Sequence, residues 1–244
     1  MRFTGIFILI LLLYNKMQTN NNFLFDKVWK IKKSKPVTFC IILTSFCTPK
    51  RIPIYRSRVE RWIKETPYDI YLVDSNNTGL GLKGARYTEV LFNQYKSDWF
   101  INGKKAGGFI DQSICETESM KYIVNKLKLH EKYEYIFKIT AKYFIPRFNI
   151  MELTPKTHYF IIQNRQDHPN WNNTEIYGVS SKIINKYLEL CPKYDDPSRK
   201  IHVLNDSLES YMFKISQKYG FIKLPPLKLD MFTQRSDGSV FGWL

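Results

Sequence analysis

Three polar clusters stand where apolar runs end: Thr44 and Ser45, Asp74 to Asn76, and Lys138 to Tyr143. In open α/β sheets, ligands bind beyond the carboxyl ends of the strands, so these positions are where chemistry is expected. An aspartate there accepts hydrogen bonds from a ribose or a base edge. Alternatively, Asp74 caps its own loop, since Ser75-Asn76-Asn77-Thr78-Gly79 is strong turn chemistry. No GxGxxG follows the first apolar run and no GxxxxGK[ST] occurs anywhere, which disfavours dinucleotide oxidoreductases and P-loop NTPases. The four cysteines form no CxxC pair, and His130, His158, His168 and His202 have no metal-ligand spacing.

Alternating elements are needed to position these clusters. Val37 to Phe46 is a continuous apolar, β-branched run, the signature of a strand buried on both faces in a parallel sheet. Tyr55 to Glu65 reads as a helix broken by Thr66-Pro67, and Asp69 to Asp74 as a second strand. These pieces make one β-α-β unit. Tyr87 to Gln94 reads as a short third strand. Glu116 to Leu127 has helical spacing, with Met120, Ile123, Val124 and Leu127 on one face. Strands are expected over Tyr133 to Ile145, His158 to Gln163 and Glu175 to Val179, and helices over Ser180 to Leu190 and Ser207 to Tyr219.

The 244 residues carry 44% hydrophobic and 16% aromatic side chains, ample material for a packed domain. A net charge of +15 favours an anionic partner, yet no Arg-rich run or nucleic-acid-binding motif accompanies it. Phe3 to Tyr14 is an apolar stretch of signal-peptide length, shorter than the ~20 residues that span a bilayer. The expected organisation is a signal-anchor or signal-peptide-like segment over 1–16, a polar basic stem over 17–36, and a single domain over 37–244. That organisation implies a membrane-associated or secretory-pathway location if the leader functions, and a cytoplasmic one otherwise. The sequons Asn76-Asn-Thr, Asn172-Asn-Thr and Asn205-Asp-Ser would matter only in the secretory lumen.

The order of these pieces resembles the GT-A glycosyltransferase fold from about Val37 to Leu227. The resemblance is carried by the strand ending in Thr44-Ser45, the strand ending in Asp74-Ser-Asn, the segment from Asp111 through Glu118, and Tyr135-Ile-Phe-Lys-Ile-Thr-Ala-Lys-Tyr-Phe-Ile145. The last of these is similar to the "KITGRY" strand of small GT-A-like proteins. It implies an α/β fold with a mixed, mostly parallel sheet flanked by helices. It also implies transfer of a sugar from a nucleotide-diphosphate donor to a glycan or protein hydroxyl, with no specific nucleic acid as partner. Thr44, Ser45, Asp74, Asn76, Glu118, Lys138, Thr140 and Lys142 would then bind the donor in one cleft.

Such enzymes usually carry an Asp-x-Asp at the end of the central strand that holds Mn²⁺ or Mg²⁺. Here Lys138-Ile-Thr-Ala-Lys142 stands in that place, and Asp195-Asp196 falls in a polar loop. No metal ligand is assigned. Lys138, Lys142 and Arg147 are expected to meet the leaving diphosphate's charge instead. For an inverting displacement the resemblance implies a carboxylate opening a late helix, which selects Glu209, with Asp206 as the backup. Glutamate in a first helical turn is also favoured by the helix dipole alone. Two alternatives remain: a non-catalytic module binding nucleic acid or an acidic surface, and a nucleotidyltransferase, which would need metal carboxylates.

Overall fold

In the computed structural model the described residues are 38–96, 112–146, 148, 158–164, 170, 172–190, 208–224, 227–234 and 240–243. The chain divides into Met1–Pro36 and Val37–Leu244, and the fold below is that of the second unit.

The strands are β1 (Phe39–Ser45), β2 (Asp69–Asp74), β3 (Tyr87–Leu91), β4 (Tyr135–Thr140), β5 (Phe160–Asn164), β6 (Asn172–Ser180), β7 (Phe221–Lys223), β8 (Lys228–Gln234) and β9 (Val240–Trp243). The helices are α1 (Ile52–Glu65), α2 (Gln112–Lys126), α3 (Leu129–Lys132), α4 (Ile184–Leu190) and α5 (Leu208–Tyr219). Seven strands form one sheet in the order β3-β2-β1-β4-β6-β5-β7, and β8 and β9 form a separate antiparallel pair. Only β6 runs antiparallel to its neighbours in the large sheet. The expected mixed, mostly parallel sheet is therefore the one observed, with β2, β1 and β4 adjacent.

Both faces of the sheet are apolar, as the unbroken hydrophobic runs require. On one face Ile41, Leu43, Ile70, Leu72, Phe137 and Ile139 pack with Tyr55, Val59 and Trp62 of α1. On the other, Cys40, Ile42, Val73 and Ile136 pack with Met120, Ile123 and Val124 of α2, Ile184 and Tyr187 of α4, and Met212 of α5.

One expected element is shorter than its apolar run. The strand read from Tyr133 to Ile145 spans only Tyr135–Thr140, and a turn follows. Tyr143, Phe144 and Ile145 are apolar because they pack, not because they pair. The Trp62 indole donates to Tyr143 O at 2.8 Å, and its ring meets Phe144 and Phe148 edge-on. That turn is where β4 delivers its polar residues to the carboxyl edge of the sheet.

Candidate functional site

The register sets the geometry of that edge. Ser45 lies opposite Asp74, and Thr44 opposite both Val73 and Thr140. Side chains alternate between faces along a strand, and directly paired residues share one. Asp74 follows Ile70 and Leu72 onto the α1 face, while Lys138 follows Ile136 onto the α2 face. The expected single cleft is therefore two clusters back to back. Ser45, Asp74 and Asn76 belong to one, and Thr44, Lys138 and Thr140 to the other.

The Asp74 cluster is internally complete. Its carboxylate is fully buried; Oδ1 accepts from Ser45 Oγ at 3.2 Å and Cys47 N at 2.8 Å. Oδ2 accepts from Thr78 N at 2.8 Å and Gly79 N at 2.9 Å. Four bonds use the capacity of an ionised carboxylate. Glu89 continues the pattern by accepting from Leu80 N and Gly81 N, so four successive amides of this loop point at two carboxylates. Gly79 suits the turn because its φ is +75° and a Cβ there would lie 2.8 Å from Glu89 Oε1. The Asn76 amide donates to Cys47 O at 2.6 Å. The Asp74 and Asn76 side chains, expected to bind the donor, here hold the β1–α1 and β2–β3 loops together. Burial pushes the neighbouring Cys47 thiol up to about 12, so it is no nucleophile at neutral pH.

Truncating Asp74 measures this role. Asp74→Ala is expected to lower stability by about 2–3 kcal/mol, because buried amides lose a charged acceptor. Asp74→Asn is expected to rescue little, since its NH₂ would face amide donors. Urea denaturation of the three proteins checks this; an Asn variant as stable as wild type would mean that the charge is irrelevant.

The second cluster gathers five elements, β1, β4, β6, α2 and α5. Lys138 Nζ is 0% exposed and contacts Glu116 Oε1 from α2, Thr140 Oγ1 at 3.1 Å and the Thr174 carbonyl of β6. Its three N–H groups are therefore taken. Lys142 meets Glu175 of β6 at 2.8 Å, both side chains being 33% exposed. Thr174 Oγ1 donates to Glu209 Oε1 of α5 at 3.1 Å. A shift in the β5–β6 register between Ile162 and Asn164 accompanies this stretch, and irregularities of that kind re-aim side chains. Asn172 and Thr174 both reach α5, through Ser216 and Glu209. Thr44 Oγ1, in a residue only 5% exposed, has no hydrogen-bond partner among the described residues.

Two charges in the cluster are displaced in opposite directions. Burial raises Glu116 above the usual carboxylate range, and Lys138 only partly counters it. Burial acts the same way on Glu175, but Lys142 and then Lys138 outweigh it and hold that carboxyl low.

Glu116 and Glu175 are functional candidates that the sequence reading passed over, and the carboxylate of α2 that meets Lys138 is Glu116 rather than the expected Glu118. Two positions along a helix do not share a face, and it is Glu116 that contacts Lys138. The spacing Glu116, Met120, Ile123 carried that signal. Asp206, Arg147 and Asn205 lie outside the described residues. The sequon residue Asn172 is fully buried with its amide bound to Ser216, so the folded chain offers no acceptor there.

Among the described residues, no three His, Cys, Asp or Glu side chains are grouped to hold a metal ion. The residues present fit a divalent cation poorly: Glu116 and Glu175 each contact a lysine ammonium, which would repel it.

The elements thus define an α/β domain with a charged and hydroxyl-rich cluster at the carboxyl edge of its sheet. No family model and no curated protein matches the chain. Solved structures similar to it include a glycosyltransferase involved in glycosylation of the major capsid of PBCV-1. That alignment has 11% identity, covers 76% of this chain and 81% of that one, and gives a TM-score of 0.42. Galactosyltransferase LgtC, in complex with donor and acceptor sugar analogs, aligns at 9% identity over 75% of this chain and 72% of that one, with a TM-score of 0.44. The glycosyltransferase GlyE of Streptococcus pneumoniae TIGR4 aligns at 10% identity over 77% of this chain, with a TM-score of 0.44; the match spans 45% of GlyE.

Proposed function

We propose that this chain is a glycosyltransferase that moves a sugar from a nucleotide-diphosphate donor to a hydroxyl acceptor at the Thr44–Lys138–Glu209 cluster. The observation that carries this reading is the convergence of carboxylates, hydroxyls and a part-exposed ammonium at the carboxyl end of β4. Sugars are recognised by such groups, and a displacement at the anomeric carbon needs both a base and a counter-charge.

In this reading the acceptor oxygen bonds to the anomeric carbon while the carbon–oxygen bond to the diphosphate breaks. The leaving group departs with the electron pair. The acceptor proton passes to Glu209, and Lys142 meets the charge that develops on the diphosphate. Among the described residues Lys142 donates one hydrogen bond, to Glu175, leaving two N–H groups that can serve the ligand. Lys138 has none to spare and acts by holding Thr140 and Thr174 in place. Thr44 offers its unpartnered hydroxyl to the donor.

Because lysines hold the carboxylates at this strand end, donor binding is expected not to require a divalent cation. Calorimetry with nucleoside diphosphates and nucleotide sugars, in EDTA and in excess Mn²⁺, tests this. Binding should persist in EDTA, and Lys142→Ala should weaken it roughly tenfold, the loss of one charge-assisted contact. Binding that vanishes in EDTA would refute metal independence, and no binding to any nucleotide would refute the function.

A further inference from the structure

The edge of the sheet opposite the cluster carries a different chemistry. Register places Thr38, Asp69, Arg86, Glu134, Ser181 and Gly220 at that edge, through the pairings that open β1, β2, β3, β4 and β7 and close β6. Exposed Lys128 precedes α3 and exposed Lys132 ends it just before β4, Lys182 follows β6, and Lys218 lies in the last turn of α5. Lys186 of α4 and Lys218 lie over the same Tyr219 ring, at 5.7 and 5.8 Å, and Tyr159 meets that ring edge-on. Half-buried Tyr219, with Tyr159 beside it, thus lies under lysines contributed by two separate helices, while the Tyr133 hydroxyl donates to Asp69. Of the edge's cations, Lys128 faces Glu131 at 4.0 Å and Arg86 faces Asp69 at 3.1 Å. Among the described residues, Lys132, Lys182, Lys186 and Lys218 form no ion pair.

Residues 1–37 precede Thr38 in the sequence. They include Lys27, Lys30, Lys32, Lys33 and Lys35, and, further back, the apolar stretch Phe3 to Tyr14. Lysines over a pair of tyrosine rings suit the interface of an anionic bilayer, where ammonium groups meet lipid phosphates and amphipathic rings lie at headgroup depth. We propose that this edge docks on an anionic membrane surface, leaving the carboxyl edge and its cluster turned away from the lipid.

The test uses the full chain in vesicle sedimentation. Vesicles of phosphatidylcholine alone are compared with vesicles in which about a third of the lipid is phosphatidylserine, at low and high salt. Wild type is expected to bind the anionic vesicles at least tenfold better at low salt and to lose that advantage at high salt. The triple variant K182E/K186E/K218E should lose at least tenfold on anionic vesicles, with neutral vesicles unaffected. K50E/K96E/K223E changes net charge equally at exposed positions towards the carboxyl edge and should retain most of the binding. Equal binding of wild type to both lipids, or equal loss in the two triple variants, would overturn the proposal. So would a preference for a DNA duplex over the vesicles that the first triple variant abolishes, since the edge would then serve nucleic acid. Far-UV circular dichroism confirms that both variants are folded.

Discussion

Replacing Lys138 with Met is expected to destabilise the protein by about 3 kcal/mol at neutral pH, and by much less in acid. Lys138 is fully buried, and its removal leaves Glu116 inside without its counter-charge. Breaking a buried pair from one side costs roughly 3–5 kcal/mol. The lower end applies because Glu116 keeps 26% of its side chain in water. The sign with pH follows from Glu116, whose carboxyl is already raised by burial. An acid raised in the folded state binds its proton more tightly there than in the unfolded chain. Its contribution is favourable below the ordinary value of 4.5 and is lost as pH rises towards the folded value. Without Lys138 that loss is greater. Glu175 has the opposite sign in wild type: its carboxyl is held low, so it stabilises above the ordinary value and loses this as pH falls. Removing Lys138 weakens that benefit too, again at neutral pH. The double variant K138M/E116Q should recover part of the loss, as no charge is then stranded. Urea melts of wild type and both variants at about pH 5 and pH 8 decide it. A K138M deficit independent of pH would show that Lys138 contributes packing alone.

The same pair explains what could and could not be read from the sequence. Val37 to Phe46, Asp69 to Asp74 and the start of the Tyr133 run were legible as neighbouring strands, because strands buried on both faces must be continuously apolar. That very continuity hid the faces. With no polar alternation, nothing distinguished the side of β2 that bears Asp74 from the side of β4 that bears Lys138. Only the register shows that they diverge. The contribution of Thr174 and Glu175 was hidden for another reason. A register irregularity is a local departure from period two, and periodicity is what a sequence displays. Glu116 was readable from its helical spacing with Met120 and Ile123. Asp74 illustrates the remaining ambiguity: the residue types that bind a ribose are those that close a turn, and here the turn amides claim both oxygens.

Glu209→Gln is expected to lower kcat by roughly 10²–10⁴-fold while leaving KM for the donor nearly unchanged, if Glu209 takes the acceptor proton. Geometry allows a more modest role, since a glutamate in the first turn of α5 also interacts with the helix dipole. The two roles separate by magnitude and by observable. The dipole contribution is about 0.3–1 kcal/mol of stability and touches no rate constant directly. A base contributes to the barrier for proton transfer and to little else. Thr174→Val provides the intermediate case: it removes the hydroxyl that donates to Glu209 at 3.1 Å and leaves the carboxylate in place. Its expected effect is a smaller fall in kcat, restored by Thr174→Ser, which keeps a donor at the same position. Asp206→Asn is measured in parallel, because Asp206 is the carboxylate just ahead of α5 in the sequence. Single-turnover sugar transfer, with stability followed on the same samples, distinguishes the outcomes. A Glu209→Gln protein that melts slightly earlier yet turns over normally would reduce Glu209 to a helix-end residue. A collapse of kcat in Asp206→Asn alone would move the base three residues upstream, with the same acceptor proton to receive.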